Sequence, residues 1–326
     1  MKPSIAVVIV NWNSREDVLA ALASLRDQTD PDVEIAVVDN GSTDGSATAI
    51  RAEFPGVRVL ETGDNLGFAE GCNRGIDATR SDWVFLFNND AVAEPSCIAE
   101  LRQAAVQAAP EVGTLQPLIV FATRPTHVNS SGVIVFRTGA AHDRHFAEPV
   151  EATESAGDPV CATAGAALYR RSMLERVRLA KGYLDPDFFV YFEDVDLGWR
   201  CRLAGYETKF VRSARVRHRF RGSSTRLGNA FVRTQFRVNR IAMLVHNASL
   251  SFILRSSVVS TLEMASTVRE VGLRPAAGLA RRLPRMLQDR WRIGRFSRVP
   301  RREVERRWMS LAPVPPPEID LAERHD

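Results

Sequence analysis

Cysteine is scarce in this sequence, and the few cysteines form no pattern. The 326 residues contain Cys72, Cys97, Cys161 and Cys201, without a Cys-x-x-Cys pair. A short secreted fold held together by disulfides would need more cysteines at closer spacing. We therefore exclude that class and expect a protein of a reducing compartment.

Long hydrophobic runs are also missing. A membrane-spanning helix needs about 18 uninterrupted apolar residues, whereas residues 241–265 are broken by polar and charged side chains. The apolar run near the N-terminus ends at Asn11, too soon for a signal peptide. The sequence predicts a cytoplasmic protein, attached at most peripherally to the inner face of the cell membrane.

Two nucleotide-binding motifs are absent as well. A dinucleotide site would place G-x-G-x-x-G after the first strand, and a phosphate-binding loop would need G-x-x-x-x-G-K-[ST]. Neither motif occurs in the sequence. These two classes of nucleotide site are therefore excluded.

Charge is plentiful but unevenly distributed. Residues 1–199 contain 16 Lys and Arg against 29 Asp and Glu, a net charge of −13, whereas residues 200–310 contain 26 against 6, a net charge of +20. This asymmetry predicts an acidic globular front and a basic rear that meets phosphate, nucleic acid or an anionic membrane. A solvated helical face is the alternative interpretation of the basic rear.

The hydrophobic pattern predicts an α/β fold. Residues 5–10, 33–38, 57–60 and 83–87 form apolar strand segments that alternate with helical ones, which favours an open sheet with helices on both faces. We expect further strands at 115–121, 133–136, 208–211 and 216–219, and helices at 193–203, 231–244, 250–268 and 279–296. The predicted organisation is an α/β domain over residues 1–224, a basic, amphipathic helical region over 225–310, and a proline-rich flexible tail over 311–326.

Polar side chains follow three of the predicted strands. Asn11 ends the first strand, Asp39 ends the second, and Asn88-Asn89-Asp90 follows the fourth. Ligands of such sheets bind beyond the carboxyl ends of the strands. We therefore expect these residues to face one crevice.

Five phrases of the sequence resemble the family 2 glycosyltransferases, closest to the rhamnosyltransferase-like members. In chain order they are VIVNWN at 8–13, VDNGSTDG at 38–45, N-x-GFA-x-G-x-N-x-G at 65–75, FNND at 87–90 and ED-x-DL at 193–197. Their order and spacing match over residues 4–224. The resemblance implies a GT-A fold, a Rossmann-like, mostly parallel mixed sheet flanked by helices, with a nucleotide-sugar donor, a Mg²⁺ or Mn²⁺ ion, and inversion at the anomeric carbon.

The resemblance also implies roles for individual residues. Asp194 is the implied base that takes the proton from the acceptor hydroxyl, and a carboxylate at a helix N-terminus is held ionised, as a base requires. We expect Glu193 and Asp196 to support it. Asp39 is the implied nucleoside-binding acid, with an Asx turn as the alternative. Donor contacts are further expected from Asn11, Asn65, Asn73, Asn88 and Asn89; for Asn65 and Asn73, bracing of loops is the alternative.

The phrase FNND stands where the family has its D-x-D motif, with Asn88 at the first position. A carboxylate together with phosphate oxygens suits Mg²⁺ or Mn²⁺, which offsets the charge of a departing diphosphate. Asp90 is therefore the predicted metal ligand, and a helix cap is its alternative role. His218 is a second predicted contact to metal or diphosphate, next to the turn Gly222-Ser223-Ser224, unless this histidine is structural.

The basic rear contains an amphipathic segment. Leu279, Leu283, Leu287 and Trp291 recur every four residues among arginines, a pattern typical of a helix on anionic lipid. We expect Pro284 to lie in the first turn of a shorter helix. No nucleic-acid-reading motif accompanies the arginines, so we expect no nucleic acid partner.

We therefore predict an inverting, metal-dependent glycosyltransferase. Its expected donor is a dTDP-linked deoxyhexose such as rhamnose, and its expected acceptor is a lipid-linked or cell-envelope glycan. A UDP-hexose or UDP-N-acetylhexosamine transferase is the alternative within the class. A nucleotidyltransferase and an inactive binding module are the alternatives outside it.

Overall fold

The computed structural model describes residues 2–219 and 228–310. The turn at Gly222-Ser223-Ser224, the boundary at residue 224 and the tail at 311–326 lie outside the described residues. The strands are β1 Ile5–Asn11, β2 Glu34–Asp39, β3 Arg58–Glu61, β4 Trp83–Phe87, β5 Ala91–Ala93, β6 Val112–Phe121, β7 Val128–Ser130, β8 Val133–Phe136, β9 Ala141–Asp143, β10 Ala166–Arg170, β11 Glu207–His218 and β12 Met309–Ser310.

Ten α-helices lie within the described residues. They are α1 Arg15–Arg26, α2 Ser46–Glu53, α3 Phe68–Asp77, α4 Cys97–Gln107, α5 Arg171–Arg176, α6 Glu193–Leu203, α7 Asn229–Asn247, α8 Leu250–Val271, α9 Arg274–Phe296 and α10 Arg301–Trp308. Two short 3₁₀ helices, Val150–Thr153 and Pro186–Phe188, complete the regular structure described. None of the helices described is long and apolar enough to cross a membrane.

The main sheet confirms the predicted α/β class. Its strand order is β3-β2-β1-β4-β10-β6-β11-β5, and β7 pairs with β6. The run β3-β2-β1-β4 is parallel, whereas β10 is antiparallel to both of its neighbours. Strand β1 is buried on both faces, because Val8 belongs to one hydrophobic cluster and Ile5, Val7 and Ile9 belong to another.

Helix α3 packs unusually close to β1 because two of its residues are glycines. A Cβ on Gly71 would lie 2.7 Å from Val10 Cγ1, and one on Gly75 would overlap Val8. The close approach holds the start of α3 against the carboxyl end of β1. That edge of the sheet is where the polar strand ends meet.

The rear helices share a hydrophobic core with the sheet. Met243, Phe252, Met286 and Ile293 are buried in one cluster with residues of β4, β10 and α6. The chain then returns to the front, since β12 pairs with β8 in a separate three-stranded sheet, β12-β8-β9. The rear is therefore packed onto the α/β half along its length.

Several predicted elements differ in the structure. Residues 208–211 and 216–219 belong to one strand, β11, whose pairing with β6 shifts register between Val211 and Arg215. Strand β8 lies in the small sheet rather than the main one. Pro284 lies inside α9, not in its first turn; the helix continues across it because α9 packs against α7 and α8.

Candidate active site

A cavity of about 340 Å³ opens at the carboxyl ends of β1 and β4. This size suits a small-molecule site. Its wall combines the polar strand ends with the first turns of α3 and α6. Of the residues predicted from the sequence, it is lined by Asn65, Asn88, Asn89, Asp90, Glu193, Asp194 and His218.

Asp194 lies in the first turn of α6 with its carboxylate held by hydrogen bonds. Its Oδ2 accepts from the backbone N–H of Ala164 (3.1 Å), and its Oδ1 accepts from the backbone N–H of Val195 (2.8 Å). Burial raises the pKa of Asp194, and these bonds to its charged form oppose the rise. The carboxylate of Asp194 therefore has a raised pKa and a fixed position in the cavity wall.

Glu193, the preceding residue, is held differently. Its Oε2 is buried without a hydrogen-bond partner. Burial and the charge of Asp194 raise the pKa of Glu193 well above its usual range. Of the two adjacent acids, Asp194 is the one whose carboxylate is stabilised by side-chain hydrogen bonds from backbone N–H groups, whereas Oε2 of Glu193 has none.

The segment before α6 adopts strained backbone conformations. Phe189, Tyr191 and Phe192 have φ values of 60°, 70° and 69°, which cost non-glycine residues free energy and cluster at functional sites. The side-chain amide of Asn239 on α7 donates to the carbonyls of residues 188, 190 and 191, at 2.8, 2.9 and 2.9 Å. A buried residue of the rear half therefore fixes the segment that presents Asp194.

Asp90 and His218 face each other in the wall of the cavity. The distance from His218 Nε2 to Asp90 Oδ1 is 3.0 Å, and Asp90 Oδ1 is buried without a hydrogen-bond partner. His218 Nδ1 lies 3.0 Å from Asn129 Oδ1; when the neutral ring donates this bond, its Nε2 carries a lone pair that faces Asp90 and Asn88. Burial opposes protonation of the ring, but the charge of Asp90 raises the pKa of His218.

This pair fits a divalent cation. Two lone-pair-bearing atoms 3.0 Å apart need a proton or a cation between them or beside them, and carboxylate and imidazole are common ligands of Mn²⁺. Asn129 orients the imidazole from behind, as a partner of a metal-binding histidine does. Asn88, whose Nδ2 lies 3.2 Å from His218 Nε2, has an amide within reach of the same point.

Hydrogen-bonded side-chain amides, which we call the amide belt, connect the strand ends behind the cavity. Asn89 Nδ2 donates to Asn11 Oδ1 (2.9 Å), and Asn40 Nδ2 donates to Asn65 Oδ1 (3.0 Å). Asn11 is fully buried. Asp39 Oδ1 accepts from the backbone N–H of Ser42 (2.9 Å) and so forms a turn, while its Oδ2 is buried without a partner.

Four predicted residues do not line the cavity: Asn11 and Asp39 lie behind it, and Asn73 and Asp196 are bound elsewhere. Asn73 Oδ1 accepts from the backbone N–H groups of Tyr183 and Leu184, and its Nδ2 donates to the Leu184 carbonyl. This amide braces a loop, which was the alternative to donor contact. Asp196 points to the opposite side of α6, where it pairs with Arg200 (2.9 Å) and His246 (2.9 Å).

Asp185, His246 and Asp289 form a second buried group with the donor atoms of a metal site. It lies outside the residues that line the cavity. Arg285 already stands between the two carboxylates, 3.3 Å from Asp185 and 3.8 Å from Asp289. The group therefore has its own cation, and we read it as an ion-pair network between α6, α7 and α9.

Part of the cavity wall consists of residues that the sequence did not predict. Asp143 and His142 on β9, and Phe236 on α7, line it; burial raises the pKa of Asp143 to about 6. No local motif marks these residues, because the small sheet and α7 bring them to the site from distant parts of the chain.

Comparison with known proteins settles the family. The sequence profile of Glycosyl transferase family 2 matches residues 6–178. The chain belongs to this family. An N-acetylglucosaminyl-diphospho-decaprenol L-rhamnosyltransferase of Mycobacterium tuberculosis is 33% identical to this family 2 chain over 240 residues, 67% of this chain and 76% of the relative. Succinoglycan biosynthesis protein ExoO of Rhizobium meliloti is 27% identical over 111 residues, 34% of this chain and 32% of the relative.

Solved structures confirm the GT-A fold predicted for this glycosyltransferase. The mannosyltransferase PcManGT from Pyrobaculum calidifontis, in complex with GDP-Man and Mn²⁺, matches with a TM-score of 0.54 and 17% identity over 91% of this chain and 86% of that one. GalNAc-T7 with UDP, GalNAc and Mn²⁺ matches with a TM-score of 0.63 and 13% identity over 81% of this chain and 51% of that one. At such identities the likeness concerns the fold alone.

Proposed function

We propose that this family 2 glycosyltransferase inverts the anomeric carbon while moving rhamnose or another deoxyhexose from a nucleotide-sugar to a lipid-linked or cell-envelope glycan. The observation that carries the proposal is the pair of acids at the start of α6. Asp194 is held by two backbone N–H groups in the cavity wall, whereas Oε2 of Glu193 beside it is buried without a hydrogen-bond partner. Asp194 is thus a fixed carboxylate that can accept a proton, which suits a single displacement.

In that displacement Asp194 accepts the proton of the acceptor hydroxyl. The hydroxyl oxygen attacks the anomeric carbon from the side opposite the nucleoside diphosphate, and the bond between that carbon and the diphosphate oxygen breaks. The electron pair leaves with the diphosphate, and the proton stays on Asp194. Because one attack occurs from the opposite side, the configuration at the anomeric carbon inverts.

Asp90 and His218 are the residues that would hold Mg²⁺ or Mn²⁺ in this proposal. When bound, such an ion offsets the negative charge of the leaving diphosphate. The buried Oδ1 of Asp90 and the Nε2 of His218, which face each other at 3.0 Å, support this assignment. The two neighbours with Mn²⁺ agree with it, although their identity to this chain is low.

The nucleoside end is assigned to the amide belt. Asp39, whose Oδ2 is buried behind the cavity without a partner, is the proposed acid for a ribose hydroxyl or a base N–H, and Asn65, Asn88 and Asn89 supply further donors along the cavity. Asn11 contributes by holding Asn89 in place. Asn73 has no part in this proposal, because its hydrogen bonds are used within a loop.

The choice of sugar and acceptor follows the mycobacterial relative. Its name gives an L-rhamnosyl group and an acceptor with a diphosphate-linked decaprenol. By analogy, we propose dTDP-rhamnose as donor and a diphosphate-linked lipid glycan as acceptor. Such an acceptor lies in a membrane, so the proposal includes peripheral attachment to the inner face of the cell membrane.

A panel of nucleotide-sugars tests the proposal. Purified protein with Mn²⁺ or Mg²⁺ should release nucleoside diphosphate from dTDP-rhamnose in the presence of a glycan acceptor, and Asp194→Asn should not. Release from UDP-hexose or UDP-N-acetylhexosamine instead would favour the alternative transferase. Pyrophosphate release would indicate nucleotidyl transfer, and absence of turnover with every sugar would indicate a binding module.

A further inference from the structure

Helix α8 exposes a row of aliphatic side chains to solvent. Leu250, Leu254, Val258 and Leu262 are 70%, 72%, 67% and 66% exposed, and their spacing of four places them along one side of the helix. Phe252, Ser256 and Thr267 are buried on the opposite side. The helix therefore packs onto the protein through one face and presents a second apolar face outwards.

The apolar surface continues beyond α8. Leu273, in the turn that joins α8 to α9, is 70% exposed, and Leu287 and Trp291 on α9 are 51% and 66% exposed. Leu283 lies one turn before Leu287 in the same row. The two rows lie on helices that pack against each other, and we call their exposed apolar residues together the α8–α9 surface.

The charges around this surface are positive. The acids of the two helices are occupied: Glu263 pairs with Arg240, Glu270 with Arg233, and Asp289 lies beside Arg285. Exposed arginines stand on the same helices: Arg255, Arg269, Arg274, Arg281 and Arg295. An exposed apolar row flanked by arginines is complementary to anionic lipid.

We propose that the α8–α9 surface docks on the interface of an anionic phospholipid bilayer. The aliphatic row enters the acyl boundary, and the arginines meet the lipid phosphates. A second copy of the chain is the less favoured occupant, because its own arginines would oppose those of the first copy. The proposal extends the predicted contact of residues 279–296 to α8, in which the sequence pattern had indicated no such row.

Docking at this surface would also orient the cavity. Arg233 and Arg237 on α7 pair with Glu270 near the end of α8. Between them in the chain lies Phe236, which lines the cavity and packs on Tyr191 at 4.4 Å between ring centroids. The cavity wall is thus tied directly to the docking helix, and this step rests on the proposed lipid-linked acceptor.

Vesicle co-sedimentation of the full chain tests the surface. Wild-type protein should sediment with phosphatidylglycerol-containing vesicles and much less with pure phosphatidylcholine vesicles. The triple variant Leu254→Gln, Val258→Gln, Leu262→Gln should lose about 100-fold in partitioning, because three aliphatic side chains no longer enter the lipid. The matched control Ser257→Gln, Thr261→Gln, Ser266→Gln changes exposed polar positions of α8 and should bind like wild type.

Two further measurements separate the outcomes. Equal sedimentation of the triple variant and wild type would overturn the proposal. It would also be overturned if wild type bound no vesicles and formed a dimer, while the triple variant stayed monomeric. Nucleoside diphosphate release with a water-soluble acceptor should be the same in wild type and triple variant. If wild type released no nucleoside diphosphate in this assay, the proposed function would be contradicted, while the sedimentation result would still stand.

Discussion

The front and rear halves of this glycosyltransferase use charge in opposite ways. Among the described residues, the buried carboxylate oxygens without hydrogen-bond partners belong to Asp39, Asp90 and Glu193, all in the α/β half. In the rear half, Glu263 and Asp289 lie beside Arg240 and Arg285. Unpaired buried acids cost free energy and mark function, whereas the paired ones hold helices together.

The net charge of +20 over residues 200–310 does not measure how basic the exposed surface is. Arg290 donates to the carbonyls of Val245 and Ala248, and Arg301 to that of His246. Arg282 and Arg285 bind the loop at Asp185–Asp187. Many arginines of the rear therefore act as internal braces, and the exposed surface is more apolar than the composition indicates.

The largest effect is expected from Asp194→Asn. The variant keeps the shape of the side chain and removes its basicity, so turnover should fall by about 10²–10⁴-fold with little change in donor affinity. Glu193→Gln is the matched control, because glutamine imitates the protonated acid and should keep most of the activity. Steady-state kinetics on both variants check the assignment; a severe loss in Glu193→Gln with near-normal Asp194→Asn would exchange the two roles.

Disrupting the buried ion pairs of Asp196 should lower the stability of the fold rather than the catalytic rate. Asp196 is fully buried between Arg200 and His246, and its removal in Asp196→Ala would leave an uncompensated charge, at a cost of about 3–5 kcal/mol in the free energy of unfolding. Arg51→Ala, which removes an exposed pair with Glu61, should cost about 0–1 kcal/mol. Urea unfolding measures both. Equal costs would show that burial does not distinguish the two pairs.

Asp90→Ala tests the metal site. The variant should lose the stimulation of donor binding by Mn²⁺ or Mg²⁺, because the diphosphate loses its charged bridge to the protein. His218→Gln should weaken the stimulation less, since it leaves the carboxylate in place. Calorimetric titration of the donor with and without the metal measures both effects. The assignment would be contradicted if wild type and Asp90→Ala bound the donor equally well with and without metal, and if activity survived chelation.

Asn239 lies where the two halves meet. Asn239→Leu keeps the volume but removes the three bonds to carbonyls 188, 190 and 191. A small displacement of Asp194 should then lower kcat by about 10–100-fold, with a smaller change in KM for the donor. The half-buried Gln235 on the same helix supplies the control, Gln235→Leu, which should leave kcat unchanged. If both variants behave alike, α7 does not position the catalytic segment.

The sequence allowed prediction of the parts of the site that lie in local phrases. Asp194, Asp90 and the amides Asn88 and Asn89 follow directly from strand ends and a helix start, and the structure brings them to one cavity. Asp143, Asn129 and Asn239 could not be predicted, because each reaches the site through tertiary packing of elements far apart in the chain. The exposed row on α8 was also missed, since apolar residues on both faces of a helix resemble a buried helix in a periodicity analysis.

The smallest expected effect concerns pH. Burial raises the pKa of Asp194 above its ordinary value near 3.8, so the base is active above that raised pKa and is lost as the pH falls through it. The acidic limb of kcat/KM should therefore lie at higher pH than for an ordinary aspartate. We expect Glu193→Gln to leave the limb in place, because a Glu193 that keeps its proton adds no charge to the field at Asp194. A limb that moves to lower pH in this variant would mean that Glu193 carries a charge in the active enzyme, and that the α/β half holds two ionised acids side by side.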